Sequence, residues 1–144
     1  MVDIKEINAE DTYGIRKEVL RKNMDLPFEF NGDFDKETFH LGVYDEGVLV
    51  SIASFMKAKH PNLHGEQYQL RGMATKENYQ GKQFGKMLVQ KSEAILKKKK
   101  VNIVWCNARV LAKDFYANLG FEIQGEVFDI PQIGGHYMMF KNLV

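Results

Sequence analysis

The residues best suited to chemistry lie in one strand–turn–helix segment at positions 68–96. A strand-like stretch at 68–75 leads to a glycine-bearing turn, Gln-Gly-Lys-Gln-Phe-Gly-Lys at 80–86, and an amphipathic helix pattern follows. Backbone N–H groups at such a turn point outward without partners, and the helix dipole adds partial positive charge. The segment therefore predicts a binding site for a phosphate or pyrophosphate group.

The glycine spacing in this turn does not fit two common nucleotide-binding loops. A Walker A loop, G-x-x-x-x-G-K-[ST], needs one more residue between its glycines than Gly81 and Gly85 provide, and Met87 stands where Ser or Thr would hold magnesium. A dinucleotide-binding loop needs G-x-G-x-x-G directly after a strand, and Gln83 breaks that spacing. A nucleotide-binding α/β protein is therefore disfavoured.

The remaining pattern, Gln80-x-x-Gln83-x-Gly85, resembles motif A of the GNAT superfamily of N-acetyltransferases. In that motif, Q/R-x-x-G-x-G/A, the loop binds the pyrophosphate of acetyl-coenzyme A. Gln83 replaces the middle glycine of the family pattern. We expect this replacement to matter only if the position needs a positive φ or a very close approach to phosphate, because most residues fit in the first turn of a helix.

A second stretch, at 107–121, resembles motif B of the same superfamily, A-x-x-F-Y-x-x-x-G-F. The matching residues are Ala112, Phe115, Tyr116, Gly120 and Phe121. Two motifs in the family's order identify the chain as similar to the superfamily. The resemblance implies a mixed α/β fold in a single domain over 1–144. Its central, mostly antiparallel sheet would contain one parallel pair of strands splayed at a bulge, with helices on its flanks.

The resemblance further implies acetyl-coenzyme A as the cosubstrate. Its pantetheine arm would pair with the main chains of Met73 and Thr75, beside a bulge for which Gly72 is suited. The Met73 N–H would stabilise the oxyanion, and Tyr116 would protonate the departing thiolate as general acid. The other implied cofactor-binding residues are Gln80, Gly81, Lys82, Gln83, Phe84, Gly85, Lys86, Asn107 and Phe115.

Some of these residues also have structural interpretations. Tyr116 shares a helix face with Ala112 and Leu119, and is otherwise a core aromatic. Asn107 follows a strand and precedes a helix pattern, where it would serve as an N-cap. Cys106 is interpreted as a small buried residue, because direct transfer needs no enzyme nucleophile.

The sequence does not specify the general base or the acceptor. Some members of the superfamily place a glutamate four positions before the oxyanion-stabilising residue, but Gln69 occupies that position here and cannot act as a base. His40 and His136 are candidates for the base or for acceptor binding, with water-mediated deprotonation as the alternative. Arg71 and Arg109 are candidates for binding an acidic group of the acceptor, with structural ion pairing as the alternative.

Composition restricts the class of protein. A chain of 144 residues with 44% hydrophobic residues supports one folded domain, and a net charge of +1 provides no electrostatic footprint for nucleic acid. The single Cys106 excludes an intramolecular disulfide and a cysteine-based zinc site. No apolar run suggests a membrane span or a signal peptide. We therefore expect a cytoplasmic protein without metal, nucleic-acid or membrane partners, and a homodimer is compatible with the resemblance.

Hydrophobic periodicity and turn residues predict the elements. Strands are expected at 2–7, 39–44, 48–57, 67–75, 101–106, 121–128 and 136–140. Helices are expected after a cap at Asp11 or Thr12, at 81–98 and at 108–119. The aromatic-rich loop at 23–35 and the segment at 124–137 would shape the acceptor pocket.

The resemblance thus implies an acetyl-coenzyme A-dependent N-acetyltransferase that acts on the primary amine of a small molecule. The alternative is a non-catalytic acyl-coenzyme A-binding or sensor module of the same fold. The lack of a base at Gln69 leaves this alternative open, whereas Tyr116 argues against it.

Overall fold

The computed structural model describes residues 1–144 and contains seven strands and three α-helices. The strands are β1 (Val2–Ile7), β2 (Phe39–Asp45), β3 (Val48–Lys57), β4 (Gln67–Thr75), β5 (Ile103–Arg109), β6 (Glu122–Ile130) and β7 (Gly134–Asn142). The helices are α1 (Ala9–Ile15), α2 (Phe84–Lys98) and α3 (Lys113–Asn118). A π-helical turn covers Arg16–Leu20, and 3₁₀ turns cover Glu77–Tyr79 and Val110–Ala112. None of the helices has the length and apolar character needed to cross a membrane.

The strands form one mixed sheet in the order β1-β2-β3-β4-β5-β7-β6. β4 and β5 are parallel, with positions 67–69 in register with 103–105, and the chain between them contains α2. A parallel pair needs such a long crossover. The antiparallel pairs β2–β3 and β6–β7 are joined by short turns, and the antiparallel pair β1–β2 is joined by a segment that contains α1 and a loop. The predicted mixed α/β class, with a mostly antiparallel sheet and one parallel pair, is confirmed.

The chain forms two units, the first comprising Met1–Lys57 with Leu70–Ile95 and the second Ala58–Gln69 with Leu96–Val144. In the first unit, β3 is buried along most of its length, and Phe39 stacks on Phe55 with ring centroids 4.9 Å apart. Ile15, Ile52 and Ala74 form a buried cluster. A single domain over 1–144 stays a prediction.

Helix α1 begins earlier than predicted. Its N-cap is Asn8, and the Asn8 N–H donates to the Asp11 carboxylate at 3.0 Å. Asp11 is therefore the third residue of the helix in a capping box, and the expected cap at Asp11 or Thr12 is wrong.

The second unit has its own core, made by Leu63, Ile103, Trp105 and Met138. The Trp105 indole donates to the Ala58 carbonyl at 2.9 Å, so the polar end of this buried ring is satisfied.

The predicted boundaries fail where β5 ends. β5 pairs with β7 as far as Arg109, which lies opposite His136, so positions 108 and 109 are strand and not helix. The expected helix at 108–119 is reduced to a 3₁₀ turn and the short α3. Cross-strand pairing overrides a local helix pattern here.

Candidate functional site

The turn before α2 presents backbone donors, and the predicted start of this helix at Gly81 is wrong, because positions 81–83 belong to the turn. α2 begins at Phe84, and its first intrahelical bond runs from the Met87 N–H to the Gln83 carbonyl at 3.1 Å. The N–H groups of Phe84, Gly85 and Lys86 precede that bond and have no acceptor within the helix. The first turn contains no acidic residue, so the positive end of the helix dipole is not neutralised locally.

Gln83 departs from expectation in a way that matters for this turn. Its φ is 71°, in the left-handed region, and it lies before the helix and not in its first turn. The expectation that most residues fit at this position is therefore wrong. The position favours glycine, which is the residue in the family motif. A non-glycine residue held at positive φ stores backbone strain, a feature that concentrates at functional sites.

We predict that Gln83→Gly raises the free energy of unfolding. Relief of the left-handed conformation is worth about 1–2 kcal/mol, and the greater backbone entropy of glycine offsets about 0.5–1 kcal/mol of it. A net gain of up to about 1.5 kcal/mol should be measurable by urea denaturation. Gln83→Ala is the control, because it keeps the Cβ and should bring no gain. Equal stability of the two variants would show that Gln83 is not strained.

The other residues of the turn differ in their surroundings. The Gln80 side-chain amide donates to the Thr75 carbonyl at 3.1 Å and so connects the turn to the end of β4. The Lys82 ammonium lies 5.4 Å from the centre of the Tyr79 ring, and Lys86 is exposed. Both lysines are thus available to add positive charge at this helix terminus.

β4 contains a backbone irregularity at the predicted position. Gly72 has a φ of 63°, and a Cβ on it would lie 2.8 Å from the Phe30 ring, so two independent constraints require glycine. Met73, the next residue, is half-buried. The Thr75 hydroxyl lies 2.7 Å from that of Ser51, which joins the end of β4 to β3.

In the second unit, Asn107 lies inside β5 and is exposed, in register with Met138 of β7. The interpretation of Asn107 as an N-cap is wrong, because the strand continues past it to Arg109. Arg109 is exposed at the strand end.

Tyr116 is buried in α3 between two aromatic rings. Its ring centroid lies 5.0 Å from that of Phe115 and 5.3 Å from that of Phe121. Burial, with a smaller contribution from Cys106, raises the pKa of the Tyr116 hydroxyl far above its usual value. Burial also raises the pKa of the Cys106 thiol to about 12, so this cysteine is a neutral side chain at physiological pH, as expected for a structural residue.

The two histidines proposed as bases are both buried. The ring nitrogens of His40 both have protein partners, the Ser54 hydroxyl at 2.7 Å and the Asp33 carbonyl at 3.0 Å. His136 has one ring nitrogen 2.7 Å from the Gly134 carbonyl. These contacts give His40 a structural role. A catalytic role of His40 or His136 stays a prediction.

An ion-pair network next to His40 was not predicted from the sequence. The Arg16 guanidinium is fully buried and makes a bidentate pair with Asp33, at 2.8 and 2.9 Å. It also donates to the Phe28 carbonyl and to Ser54. Burial acts to raise the pKa of the Asp33 carboxyl. The hydrogen bonds from Arg16 and the Phe30 N–H outweigh burial, and they hold the pKa of Asp33 below its usual range.

Arg71 belongs to the surroundings of this network. The Arg71 guanidinium lies 4.5 Å from the centre of the Phe30 ring. No group of three or more His, Cys, Asp or Glu side chains is arranged to hold a metal ion.

The sequence matches the model of the Acetyltransferase (GNAT) family over residues 1–121. A relative from Bacillus subtilis (strain 168), the uncharacterized N-acetyltransferase YitI, is 43% identical over 145 residues. That alignment covers 99% of this chain and 97% of the relative.

Solved structures show the same fold at low sequence identity. Escherichia coli ElaA has a TM-score of 0.81 and 18% identity, with 98% of this chain and 99% of that chain covered. An aminoglycoside 6′-N-acetyltransferase complexed with coenzyme A has a TM-score of 0.78 and 13% identity, with 99% and 97% covered. At these identities the likeness concerns the fold alone.

Proposed function

Because the chain belongs to the GNAT acetyltransferase family, and is an N-acetyltransferase of that type, we propose that it transfers acetyl from acetyl-coenzyme A directly to the primary amine of a small molecule. The observation that carries this proposal is the turn at 80–86, with unpaired backbone donors at the start of α2 and no acidic residue beside them. A cytoplasmic location belongs to the same proposal.

The proposed pyrophosphate contacts are the N–H groups of Phe84, Gly85 and Lys86, aided by the charges of Lys82 and Lys86. The main chains of Met73 and Thr75, with Asn107 and Phe115, would contact the pantetheine arm. The remaining turn residues, Gln80, Gly81 and Gln83, would hold the turn in the required shape. A crystallised enzyme of this fold is complexed with coenzyme A, which supports acyl-coenzyme A as the ligand.

In the proposed reaction the neutral amine attacks the thioester carbonyl. The Met73 N–H donates to the oxygen as negative charge develops there. Collapse of the tetrahedral intermediate breaks the C–S bond and leaves an amide and a thiolate. The amine nitrogen loses one proton and the thiolate gains one, so the reaction needs a proton path and no external acid.

Tyr116 is the proposed donor of the proton to the thiolate. Its raised pKa keeps the hydroxyl protonated throughout the physiological range, as a general acid requires. The pKa of the Tyr116 hydroxyl is also well above that of a coenzyme A thiol, which is about 8.5. Moving the proton from Tyr116 to the thiolate is therefore unfavourable if Tyr116 is left as a charged phenolate. Proton donation by Tyr116 must therefore be coupled to uptake of the proton that the amine releases.

Binding of acetyl-coenzyme A tests the proposed turn. At about 100 times Kd the ligand should stabilise the fold by about 2.7 kcal/mol, seen as a higher Tm. Gly85→Glu should lower the affinity at least about tenfold, because a carboxylate would then stand among the phosphate-binding N–H groups.

Gly14→Glu is the matched control, because Gly14 lies exposed in α1 with open space around it. It adds the same charge to the same unit and should leave the affinity unchanged. A melt of the native chain unmoved by millimolar acetyl-coenzyme A, or equal affinities of the two variants, would contradict the assignment. Release of free thiol in the presence of an amine separates an enzyme from an acyl-coenzyme A sensor.

A further inference from the structure

Three guanidinium groups surround the ring of Phe30. The central carbons of Arg16, Arg71 and Arg21 lie 3.8, 4.5 and 5.6 Å from the ring centroid. Each distance is within the range of a cation–π contact, and Phe30 itself is half-buried. We call Phe30 with these three arginines the arginine cluster. Cations brought this close repel one another.

The positive charge of the arginine cluster is not neutralised at Arg71. The Asp33 carboxylate has both oxygens bound by Arg16. Arg71 has no carboxylate partner. Its nearest acceptors are the Asn31 carbonyl at 3.5 Å, which is the outer limit of a hydrogen bond, and the Met56 sulfur at 3.7 Å. A half-buried guanidinium thus retains donors without strong acceptors.

The electrostatic environment of Arg71 agrees with this geometry. Burial, together with the charges of Arg16 and Arg21, holds the pKa of the Arg71 guanidinium below its usual value, while Asp33 acts in the opposite direction. An anion placed beside Arg71 would offset the free-energy cost of burying an unpaired charge and would weaken the repulsion between the guanidinium groups.

A second observation also points to a ligand. The Nε of Arg16 is buried and has no hydrogen-bond partner. It lies 3.4 Å from where a Cβ on Gly72 would stand, so it faces the irregular part of β4. Buried donors are rarely left unpaired in proteins, and an exception calls for an explanation.

The segment that supplies two of the arginines has an unusual backbone. Residues Arg16–Leu20 form a π-helical turn, and the Arg21 N–H donates to the Arg16 carbonyl at 3.0 Å. Such a turn is rare and is found frequently at functional sites. Here it allows residues five apart in the sequence, Arg16 and Arg21, to approach the same ring.

We infer that the arginine cluster binds an anionic group of the acceptor, so that the substrate is an amine that also carries a carboxylate or a phosphate. The inference rests on the proposed function and names its substrate class. Arg71 would form the direct contact, since planar guanidinium donors match the oxygens of either anion. Arg71 is separated only by Gly72 from Met73, the proposed oxyanion-stabilising residue. The anion would therefore help to align the amine.

The test compares primary amines that differ in one charge, with acetyl-coenzyme A as donor. Free amino acids are compared with the same amino acids as carboxamides, and phosphoethanolamine with ethanolamine. In one of these two comparisons, either the carboxylate pairs or the phosphate pair, we expect kcat/KM to be about 10- to 100-fold higher for the charged amine. This is the size of effect that a charge-assisted hydrogen bond produces. The two arms distinguish a carboxylate acceptor from a phosphate acceptor.

Variants connect this preference to Arg71. Arg71→Met removes the charge and should lower kcat/KM for the charged amine about tenfold or more beyond any loss that it causes for the neutral amine. Arg71→Lys keeps the charge without the planar donors and should retain part of the preference. Lys22→Met, the control, removes an exposed charge next to Arg21 and should leave the preference intact. If Arg71→Met does not fold, Arg71→Lys decides.

Equal kcat/KM for charged and neutral amines in the native chain, or an equal loss of both in Arg71→Met, would overturn the inference. Failure of the proposed function differs, because then no amine is acetylated. In that event calorimetric titration with phosphoethanolamine and ethanolamine, in the presence of coenzyme A, decides. Binding of the charged amine alone, abolished by Arg71→Met, supports the anion site. Equal binding of both amines, or of neither, overturns it.

Discussion

Tyr116→Phe should lower kcat by about 10²- to 10⁴-fold, the range for loss of a general acid, with little change in the affinity for acetyl-coenzyme A. The ring and its contacts with Phe115 and Phe121 remain, and only the hydroxyl is lost. Because the proposed role of the hydroxyl begins when the C–S bond breaks, kcat and kcat/KM should fall together. Single-turnover rates replace kcat if product release limits the native enzyme.

Tyr44→Phe is the matched control, since Tyr44 is a half-buried tyrosine in β2 with no proposed part in the reaction. It should keep native turnover. A folded Tyr116→Phe enzyme whose chemical step is within about twofold of native would show that Tyr116 is a core aromatic and not an acid, since loss of an acid costs far more.

Asp33→Ala should reduce the free energy of unfolding by about 3–5 kcal/mol, because it leaves Arg16 as an uncompensated buried charge. The Arg16 side chain is 0% exposed and that of Asp33 is 1% exposed, so solvent screening cannot replace the lost partner. Urea denaturation measures the difference. The exposed Asp35 provides the control, and Asp35→Ala should change stability by less than about 0.5 kcal/mol.

The effect of Asp33 should depend on pH in one direction. The pKa of Asp33 is lower in the folded chain than in the unfolded chain, where it is about 3.9. The contribution of Asp33 to the free energy of unfolding is therefore fully present above the unfolded pKa, and it is lost as the pH falls through the folded pKa. The stability difference between native and Asp33→Ala chains should therefore narrow below about pH 4. A difference below about 1 kcal/mol at neutral pH would contradict the assigned importance of the ion pair.

The family and the fold class were predictable because their signals are local. The turn at 80–86 and the Phe115–Tyr116 pair of motif B are contiguous in the sequence, and both the family and the mixed sheet are confirmed. Strand β4 also has the predicted bounds, 67–75. The roles of individual residues at these motifs stay predictions.

The arginine network was not predictable by the same means. Arg16 meets Asp33 from 17 positions away and Ser54 from 38, and no periodicity links such residues. The one available signal was an arginine on a helix face beside a loop rich in phenylalanine. The φ of Gln83 is a related case, because a backbone angle set by the turn as a whole cannot be read from one side chain.

The most direct test of the account follows an isotopically labelled acetyl group from acetyl-coenzyme A to the acceptor. The purified chain is incubated with the labelled donor and the panel of carboxylated, phosphorylated and neutral amines, and the products are analysed by mass spectrometry. We expect the label in an amide of an anionic amine, with one free thiol released for each amide formed. Acetyl-coenzyme A that binds and stays intact with every amine, and no labelled amide, would contradict the central claim that this chain is an acetyl-transferring enzyme of small amines.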